Sequence, residues 1–182
     1  MNLFPNFAKA LTYDDFLARY ANDAQKVRWQ QVHGQVSLTP AQRDLLHGFK
    51  RKMPVLCLAG AWCGDCSGQC PIFAHFAAAA PVIELRFLDR DDHADVQQEL
   101  KINGGDRVPV LVFFSEDGHE VARYGERTLS KYRHLVRDFG GAGSAIPADS
   151  LLAQITQDWL NEFERVQCIL RLSPRLRKLH ND

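Results

Sequence analysis

The sequence lacks an excess of either charge, a long apolar run and a segment with the features of a signal peptide. Its 22 basic and 22 acidic residues give a formal net charge of zero, which argues against nucleic acid or an anionic membrane surface as the main partner. No stretch approaches the roughly 18 apolar residues of a membrane span. Residues 1–10 have no charged segment followed by an apolar run. We therefore expect a cytoplasmic protein that binds neither membranes nor nucleic acid.

Several patterns that carry other chemistries are also missing. The sequence shows no Ser/His/Asp set, no phosphate-binding glycine loop, no paired carboxylates, no internal repeat and no low-complexity linker. Its 182 residues, of which 46% are hydrophobic, are enough for one domain with a core and helical additions. We expect a single domain overall and a monomer that needs no cofactor.

Cysteines are few but clustered. The chain has five, and four of them lie within fourteen residues: Cys57, Cys63, Cys66 and Cys70. A disulfide-stabilised secreted domain would spread its cysteines along the chain, whereas a cluster in a cytosolic protein indicates redox chemistry or metal binding. The fifth, Cys168, is predicted to lie on a C-terminal helix away from this cluster.

Residues 1–49 are predicted to form a helical extension. Apolar residues recur at helical spacing up to about residue 32, and Thr12 is suited to cap the start of this single long helix. His33 and Gly34 end it. Thr39 and Pro40 open a second helix, because proline is favoured in a first helical turn. The predicted inward stripe of the long helix is Phe16, Leu17, Tyr20, Ala24 and Val27.

Residues 50–139 alternate between predicted strands and helices. Four short segments with buried or alternating apolar patterns are predicted strands: 54–59, 82–88, 110–114 and 120–124. Two segments between them are predicted helices: 63–80 and 94–102. A turn signal at residues 115–118 makes the last strand antiparallel to its predecessor. This order predicts an α/β fold with a central mixed β-sheet flanked by helices.

Residues 140–182 are predicted to form a C-terminal helix and a basic tail that pack on the core. A glycine-rich break at residues 140–144 follows a short helix over residues 130–139. An amphipathic pattern over residues 150–172 predicts a long helix, which Pro174 ends. The basic side chains of the tail are expected to be solvated: Arg175, Arg177 and Lys178.

Two cysteines three positions apart open the helix predicted at residues 63–80. Positions i and i+3 are neighbours on one helix face, so the sulfurs of Cys63 and Cys66 can reach bonding distance. Unpaired N–H groups and the positive end of the helix dipole favour a thiolate and predict a lowered pKa for Cys63. Cys63 is therefore the predicted nucleophile, and Cys66 the resolving thiol that releases a mixed disulfide.

An apolar strand, the motif Trp-Cys-Gly-Asp-Cys at residues 62–66 and a helix containing Pro71 together resemble the thioredoxin superfamily. The segment at residues 107–109 is similar to the cis-proline loop of that family, and Gly118 and Gly125 fall where its hairpin has glycines. The resemblance implies a thioredoxin-like fold with extra N- and C-terminal helices. It also implies a thiol–disulfide oxidoreductase that reduces protein disulfides.

The resemblance also assigns roles to residues around the two thiols. Trp62 would shield them, and Gly64 and Asp65 would lie between them at the substrate-facing surface. Pro109, if its peptide bond is cis, would leave the backbone of Val108 free to pair with an extended substrate segment. The implied partners are a disulfide-containing protein substrate and an electron donor.

Two positions depart from the family pattern. Typical thioredoxins have proline where this chain has Asp65, and a carboxylate beside a thiolate raises the pKa of the thiol. We expect Asp65 to make the pair less oxidising than a neutral residue would. The family's buried acid, six residues before Cys63, is replaced by Cys57. Glu84 and Asp89 on the next strand are candidates to take over its proton transfer.

The remaining clustered cysteines have two interpretations. Cys57 and Cys70 are interpreted as small buried apolar residues, a common role for a free cysteine. Alternatively, Cys70 is a third redox thiol that can rescue or trap a disulfide of Cys66.

Two other functions remain open. Cys63, Cys66 and Cys70, with His75 or Cys57 as a fourth ligand, could hold zinc or an iron–sulfur cluster. Structural zinc usually brings a second ligand pair that this sequence lacks, so we expect no metal. The chain could also be a thioredoxin-fold adaptor that binds partners through its helical ends with little redox turnover.

Overall fold

The computed structural model describes residues 2–138 and 150–182. Four helices precede the first strand: α1 (Phe4–Phe7), α2 (Tyr13–Tyr20), α3 (Asp23–Gln35) and α4 (Pro40–His47). Strands and helices then alternate: β1 (Met53–Ala59), α5 (Gly64–Ala79), β2 (Ile83–Asp89), α6 (Ala94–Glu99), β3 (Val110–Phe114) and β4 (Glu120–Gly125). Helices complete the described chain: α7 (Leu129–Asp138), α8 (Leu151–Leu172) and α9 (Pro174–His180).

Within residues 2–138 and 150–182, the strands form one mixed sheet in the order β2-β1-β3-β4. β1 is parallel to β2 and antiparallel to β3, and β3 and β4 form an antiparallel hairpin. Every residue of β1 and β3 is buried, because these central strands are continuous apolar runs covered on both faces. The predicted α/β fold with a central mixed sheet is confirmed.

The N-terminal extension differs from the prediction, because two helices replace the single long one. Asn22 caps a new helix: its side chain accepts the N–H of Gln25, and the Gln25 side chain accepts the N–H of Asn22. This restart changes the phase of the apolar stripe. Trp29 is fully buried, whereas Val27, predicted to face the core, is 52% exposed. The helix also continues past its predicted end at residues 33–34.

The N-terminal extension also covers one edge of the sheet. Leu11 and Phe87 exchange two backbone hydrogen bonds of 2.9 and 2.7 Å on the outer side of β2. Unpaired strand edges are open to pairing with other chains. This contact therefore protects the edge strand of the sheet.

Aromatic side chains join α8 to α5 and to the sheet. The ring of Trp159 lies 4.6 Å from that of Phe73, and the ring of Phe163 lies 5.0 Å from that of Phe113, both edge to face. Such aromatic pairs contribute beyond their buried area. The long helix is therefore part of the core that supports the sheet.

The basic tail forms a helix that the sequence did not predict, and its side chains Arg175, Arg177 and Lys178 are exposed, as expected. Pro174 ends α8 but also opens α9, whose first turn is capped by Ser173, because proline is favoured at the first position of a helix. Leu176 is fully buried. Arg175 forms an ion pair with Asp117 in the turn between β3 and β4.

Smaller differences concern segment ends. α6 ends at Glu99 rather than near residue 102, since Asn103 and Gly104 take positive φ angles of 50° and 71° and turn the chain. The break predicted at residues 140–144 lies outside the described residues. In the described parts of the chain, no helix is both long enough and apolar enough to cross a membrane.

Candidate active site

The loop after β1 and the loop before β3 meet at one end of the sheet. The two strands are antiparallel with Leu58 opposite Val110, so the end of one lies beside the start of the other. The sulfur of Cys63 lies 3.7 Å from the carbonyl oxygen of Val108. The peptide bond between Val108 and Pro109 is cis. Two segments that are 45 residues apart therefore line the same surface.

Cys63 and Cys66 differ sharply in exposure. Cys63 is the N-cap of α5 and is partly exposed, whereas Cys66, one turn further on, is fully buried. The sulfur of Cys66 accepts a hydrogen bond from the N–H of Gly60 at 3.4 Å. Both cysteines are free thiols. Of the pair, Cys63 is the sulfur that a large substrate can reach.

A hydrogen bond couples the ionisation of Cys63 to that of Cys66. Burial opposes a charge on Cys66, but hydrogen bonds from the thiols of Cys63 and Cys70 and from the N–H of Gly60 lower its pKa. The hydrogen bond from Cys63 to Cys66, together with burial, raises the pKa of Cys63. Coupled groups lose protons in steps that belong to the pair. The pKa for loss of the first proton of the pair is therefore lower than that of an isolated thiol, and the pKa for loss of the second is higher.

This arrangement differs from the sequence prediction of a lowered pKa at Cys63 itself. The helix start does face the motif, but the hydrogen bond to Cys66, together with burial, raises the pKa of Cys63, whereas hydrogen bonds lower the pKa of Cys66. The two sulfurs also differ in access, because only that of Cys63 is partly exposed.

Trp62 is held beside the thiols by three neighbours. Its indole N–H donates to Asp91 at 3.1 Å, and the guanidinium of Arg90 lies 4.4 Å from the ring centroid. A Cβ at Gly60 would lie 2.8 Å from the ring. The side chain remains 44% exposed, so it offers an apolar surface next to Cys63.

Helix α3 anchors the loop that carries the motif. The indole N–H of Trp29 donates to the carbonyl oxygen of Ala61 at 2.9 Å, and Arg28 donates to the carbonyl oxygen of Trp62 at 3.2 Å. Sequence analysis missed both residues. The large aromatic side chain of Trp29 could have indicated a buried position. The predicted single helix placed Trp29 outside its inward stripe, because that stripe had the wrong phase after residue 22.

Asp65 is paired with a residue that sequence analysis also missed. Its carboxylate lies 2.7 Å from the guanidinium of Arg127, which is also 3.3 Å from the buried carboxylate of Glu126. Glu126 accepts a hydrogen bond from the hydroxyl of Tyr132 at 2.9 Å and lies 3.5 Å from Arg107. Arg127 therefore offsets the negative charge of Asp65. No spacing in the sequence links residues 62 positions apart.

Two glycines at the site have different roles. A Cβ at Gly64 would meet no atom within 4 Å, so packing does not require glycine there. A Cβ at Gly125 would lie 2.6 Å from the carbonyl oxygen of Pro109 and 3.0 Å from the Cα of Val110. Gly125 therefore permits β4 to approach the proline loop closely.

The structure separates the two candidates for the missing buried acid. Glu84 forms an ion pair with Lys52 at 2.9 Å near the start of β2, away from the motif. Asp89 is opposite Ala59 at the motif end of the sheet and is 6% exposed. Burial raises the pKa of Asp89. It is thus the better placed of the two.

The metal alternative receives no support from the position of His75. Its Nε2 lies 2.9 Å from the carbonyl oxygen of His33, and the two rings are 4.2 Å apart. His75 therefore faces α3 rather than joining the cysteines. Among the described residues, no three or more His, Cys, Asp or Glu side chains are arranged to hold a metal ion.

The fold and this site together define a thioredoxin-like α/β protein with two cysteines at the start of a helix. A family model described as thioredoxin matches residues 10–138. The chain therefore belongs to the thioredoxin family.

Two solved structures show a similar fold over nearly the whole chain. A protein of unknown function from Pseudomonas aeruginosa has a TM-score of 0.66 at 19% identity, covering 91% of this chain and 94% of its own. An HIV epitope-scaffold has a TM-score of 0.66 at 15% identity, covering 90% and 99%. Mitochondrial thioredoxin 3 from Saccharomyces cerevisiae has a TM-score of 0.37 at 19% identity, covering 59% and 98%. No curated protein matches the chain.

Proposed function

We propose that this chain is a thiol–disulfide oxidoreductase that reduces disulfides in protein substrates. The observation that carries the proposal is the position of the partly exposed Cys63 above the buried Cys66 and beside the backbone of Val108. An accessible sulfur with a second thiol directly behind it is what disulfide exchange requires.

The reaction follows from the different exposure of the two sulfurs. The Cys63 thiolate attacks one sulfur of the substrate disulfide. That sulfur forms a mixed disulfide with Cys63, and the other substrate sulfur leaves as a thiolate. Cys66 then attacks the Cys63 sulfur, and the second substrate sulfur leaves. The protons of the two cysteines pass to the substrate thiols. Trp62 and the backbone of Val108 bind the substrate segment, the latter by edge addition.

The reducing direction is part of the proposal. Cytosolic thiols are kept reduced, and we propose a cytoplasmic monomer that receives electrons from a donor protein or a small thiol. A disulfide-containing protein is the proposed partner, without nucleic acid or membrane.

A reduction assay tests this function. The full chain, supplied with dithiothreitol, should accelerate the reduction of insulin disulfides, and Cys63→Ser and Cys66→Ser should each abolish the acceleration. Cys168→Ser is the matched control, because Cys168 is exposed on α8 and outside the site. Equal activity in the Cys63→Ser variant would contradict the nucleophile assignment.

Trapping tests the order of the two steps. Cys66→Ser should hold a mixed disulfide at Cys63 with its substrate in cells, because the resolving thiol is absent. Cys63→Ser should trap nothing, since the remaining thiol is buried. Equal trapping by both variants would overturn the assigned roles.

One observation favours the adaptor as a second candidate. Leu129, Tyr132 and Val136 form an apolar stripe on α7 and are 53%, 39% and 49% exposed. The stripe begins two residues after Arg127, beside the motif. An adaptor would show no insulin reduction while Cys63 and Cys66 stay reduced, and Val136→Glu would abolish capture of its partner.

A further inference from the structure

A second pair of thiols lies in the core beneath the motif. Cys57 on β1 and Cys70 on α5 have their sulfur atoms 3.9 Å apart, and both side chains are fully buried. This is van der Waals contact, and a disulfide needs the sulfurs to close to about 2.05 Å. Rotation about the Cα–Cβ bonds moves a sulfur over such distances. Packing alone does not require a sulfur at either position, because alanine or valine also fills buried space.

Cys70 and Cys57 extend the series of cysteines that begins with Cys63 at the surface and continues with Cys66. Cys63, Cys66 and Cys70 follow one another on one face of α5 at spacings of three and four residues. Thiol hydrogen bonds from Cys63 and from Cys70 act on Cys66 and lower its pKa against the effect of burial. Cys70 in turn contacts Cys57. The helical spacing of Cys63, Cys66 and Cys70 and the contact of Cys70 with Cys57 therefore lead from the partly exposed Cys63 into the core.

A buried hydroxyl responds to the charge of Cys70. The oxygen of Tyr13 is buried and, within the described parts of the chain, has no hydrogen-bond partner. Burial, followed by the nearby charge of Cys70, raises the pKa of Tyr13. An unpaired buried donor is costly.

We propose that Cys57 and Cys70 are a second redox pair, which takes over the disulfide from Cys63 and Cys66. This inference rests on the proposed function, since a substrate disulfide is the oxidant. Cys70 attacks Cys66, the Cys63–Cys66 bond breaks, and Cys63 takes up the proton that Cys70 gives up. Cys57 then attacks Cys70, the Cys66–Cys70 bond breaks, and Cys66 takes up the proton of Cys57. Both steps exchange one disulfide for another, so no further oxidant is needed.

The transfer doubles the capacity of the chain. Once the disulfide lies between Cys57 and Cys70, Cys63 and Cys66 are again a dithiol at the surface. A second substrate disulfide can then be reduced before the electron donor acts. Four electrons leave one chain instead of two.

Counting electrons tests the proposal. The reduced full chain, in a Cys168→Ser background, is mixed with an excess of 5,5′-dithiobis(2-nitrobenzoic acid), which releases two coloured thiolates for each protein disulfide formed. We expect four thiolates per chain and two in Cys70→Ala, whereas Cys57→Ala should release no more than three because Cys70 can still attack Cys66 and free Cys63. Peptide mass mapping after alkylation under denaturing conditions should find the Cys57–Cys70 disulfide in the chain that retains all four thiols, so the test does not depend on the variants folding.

The possible results separate this inference from the proposed function. A Cys63–Cys66 disulfide with Cys57 and Cys70 alkylated would overturn the second pair and leave the proposed function intact. No disulfide among the four cysteines would overturn both. In Cys63→Ser, Cys57 and Cys70 should stay reduced, because the path from the surface is cut. Their oxidation at the original rate in that variant would overturn the transfer through the four sulfurs.

Discussion

At the scale of single residues, Asp65 and Arg127 should shift the chemistry of the thiols in opposite directions. The charge of Asp65 opposes a thiolate on Cys66, and Arg127 offsets it at 2.7 Å. Asp65→Asn should therefore lower the pKa of the thiol pair, and Arg127→Gln should raise it. We expect the midpoint of the pH dependence of iodoacetamide alkylation to fall in the first variant and to rise in the second. Each shift should be up to about 0.7 pH unit, because a partly exposed ion pair contributes about 0.2–1 kcal/mol.

The same pair of variants tests the expectation that Asp65 makes the chain less oxidising. A more stable thiolate favours the reduced form, so Asp65→Asn should raise the reduction potential. The double variant should return close to the original value, because both charges are removed together. An unchanged or lower potential in Asp65→Asn would contradict this role.

Gly125 is expected to be essential for the geometry of the proline loop. Gly125→Ala places a methyl group 2.6 Å from the carbonyl oxygen of Pro109, so the loop or β4 must move. We expect a loss of stability of about 1–3 kcal/mol, as for other overpacked sites, and a slower insulin reduction. Gly68→Ala is the matched control, because its Cβ would meet nothing within 4 Å. It should stabilise α5 by up to about 1 kcal/mol, and equal losses in both variants would count against the steric explanation.

The residues of the site differ in how far the sequence predicts them. The spacing of Cys63 and Cys66 is a local signal that indicates a redox pair at a helix start, and the resemblance supplied Val108 and Pro109. Arg127 could not be predicted, because a side chain that balances charge across a fold leaves no local pattern. The contact of Cys57 with Cys70 depends on how β1 and α5 pack, which spacing along one helix does not reveal.

At the scale of elements, the hydrogen bond from α3 to the motif loop should stabilise the site. Trp29→Phe keeps an aromatic ring in the core but removes the donor to the carbonyl oxygen of Ala61. A buried acceptor left without its partner costs about 1–3 kcal/mol. We expect that loss in urea unfolding, together with slower insulin reduction. Arg28→Gln, which changes a more exposed contact to the same loop, should cost about 0.5 kcal/mol or less.

The N-terminal helices show why element boundaries were harder to predict than element types. A single apolar period fitted residues 12–32, but the capping box at Asn22 and Gln25 restarts the helix. Both patterns are present in the sequence, and the local capping hydrogen bonds prevail over the continuous period. The central strands were predicted closely, since continuous apolar runs such as β3 have few alternatives.

We expect Gln167 to stabilise the contact between α8 and the residues that precede β1. Its side-chain oxygen accepts the N–H groups of Lys50 and Arg51 at 3.0 and 2.7 Å, and its nitrogen donates to the carbonyl of Arg51 at 3.0 Å. Gln167→Leu leaves these backbone groups unpaired, so we expect a loss of about 3–5 kcal/mol. Gln157→Leu, on the exposed face of the same helix, should change the free energy of unfolding by about 0.5 kcal/mol or less. Similar losses in the two variants would show that the buried hydrogen bonds contribute little.

At the scale of the whole molecule, the sequence predicts the central sheet more fully than the attachment of the extensions. Amphipathic periodicity indicates that α8 has an apolar face, but it does not say which surface that face covers. The structure places Trp159 and Phe163 against α5 and the sheet. The division of the chain into residues 1–49, 50–139 and 140–182 stays a prediction, and truncation tests it.

A chain ending at residue 138 is expected not to fold cooperatively. It loses α8, with the buried side chains of Ile155, Trp159, Leu160, Phe163 and Val166. Burial of one such side chain contributes about 1.5–3 kcal/mol, so five contribute about 7–15 kcal/mol, as much as the whole stability of a typical domain. A chain ending at residue 173 loses α9 with the buried Leu176 and three ion pairs, including that of the buried Arg51 with Asp182. It should still unfold cooperatively, with a loss of at least about 2 kcal/mol. Cooperative urea unfolding of the shorter chain would instead show that residues 1–138 are an independent folding unit.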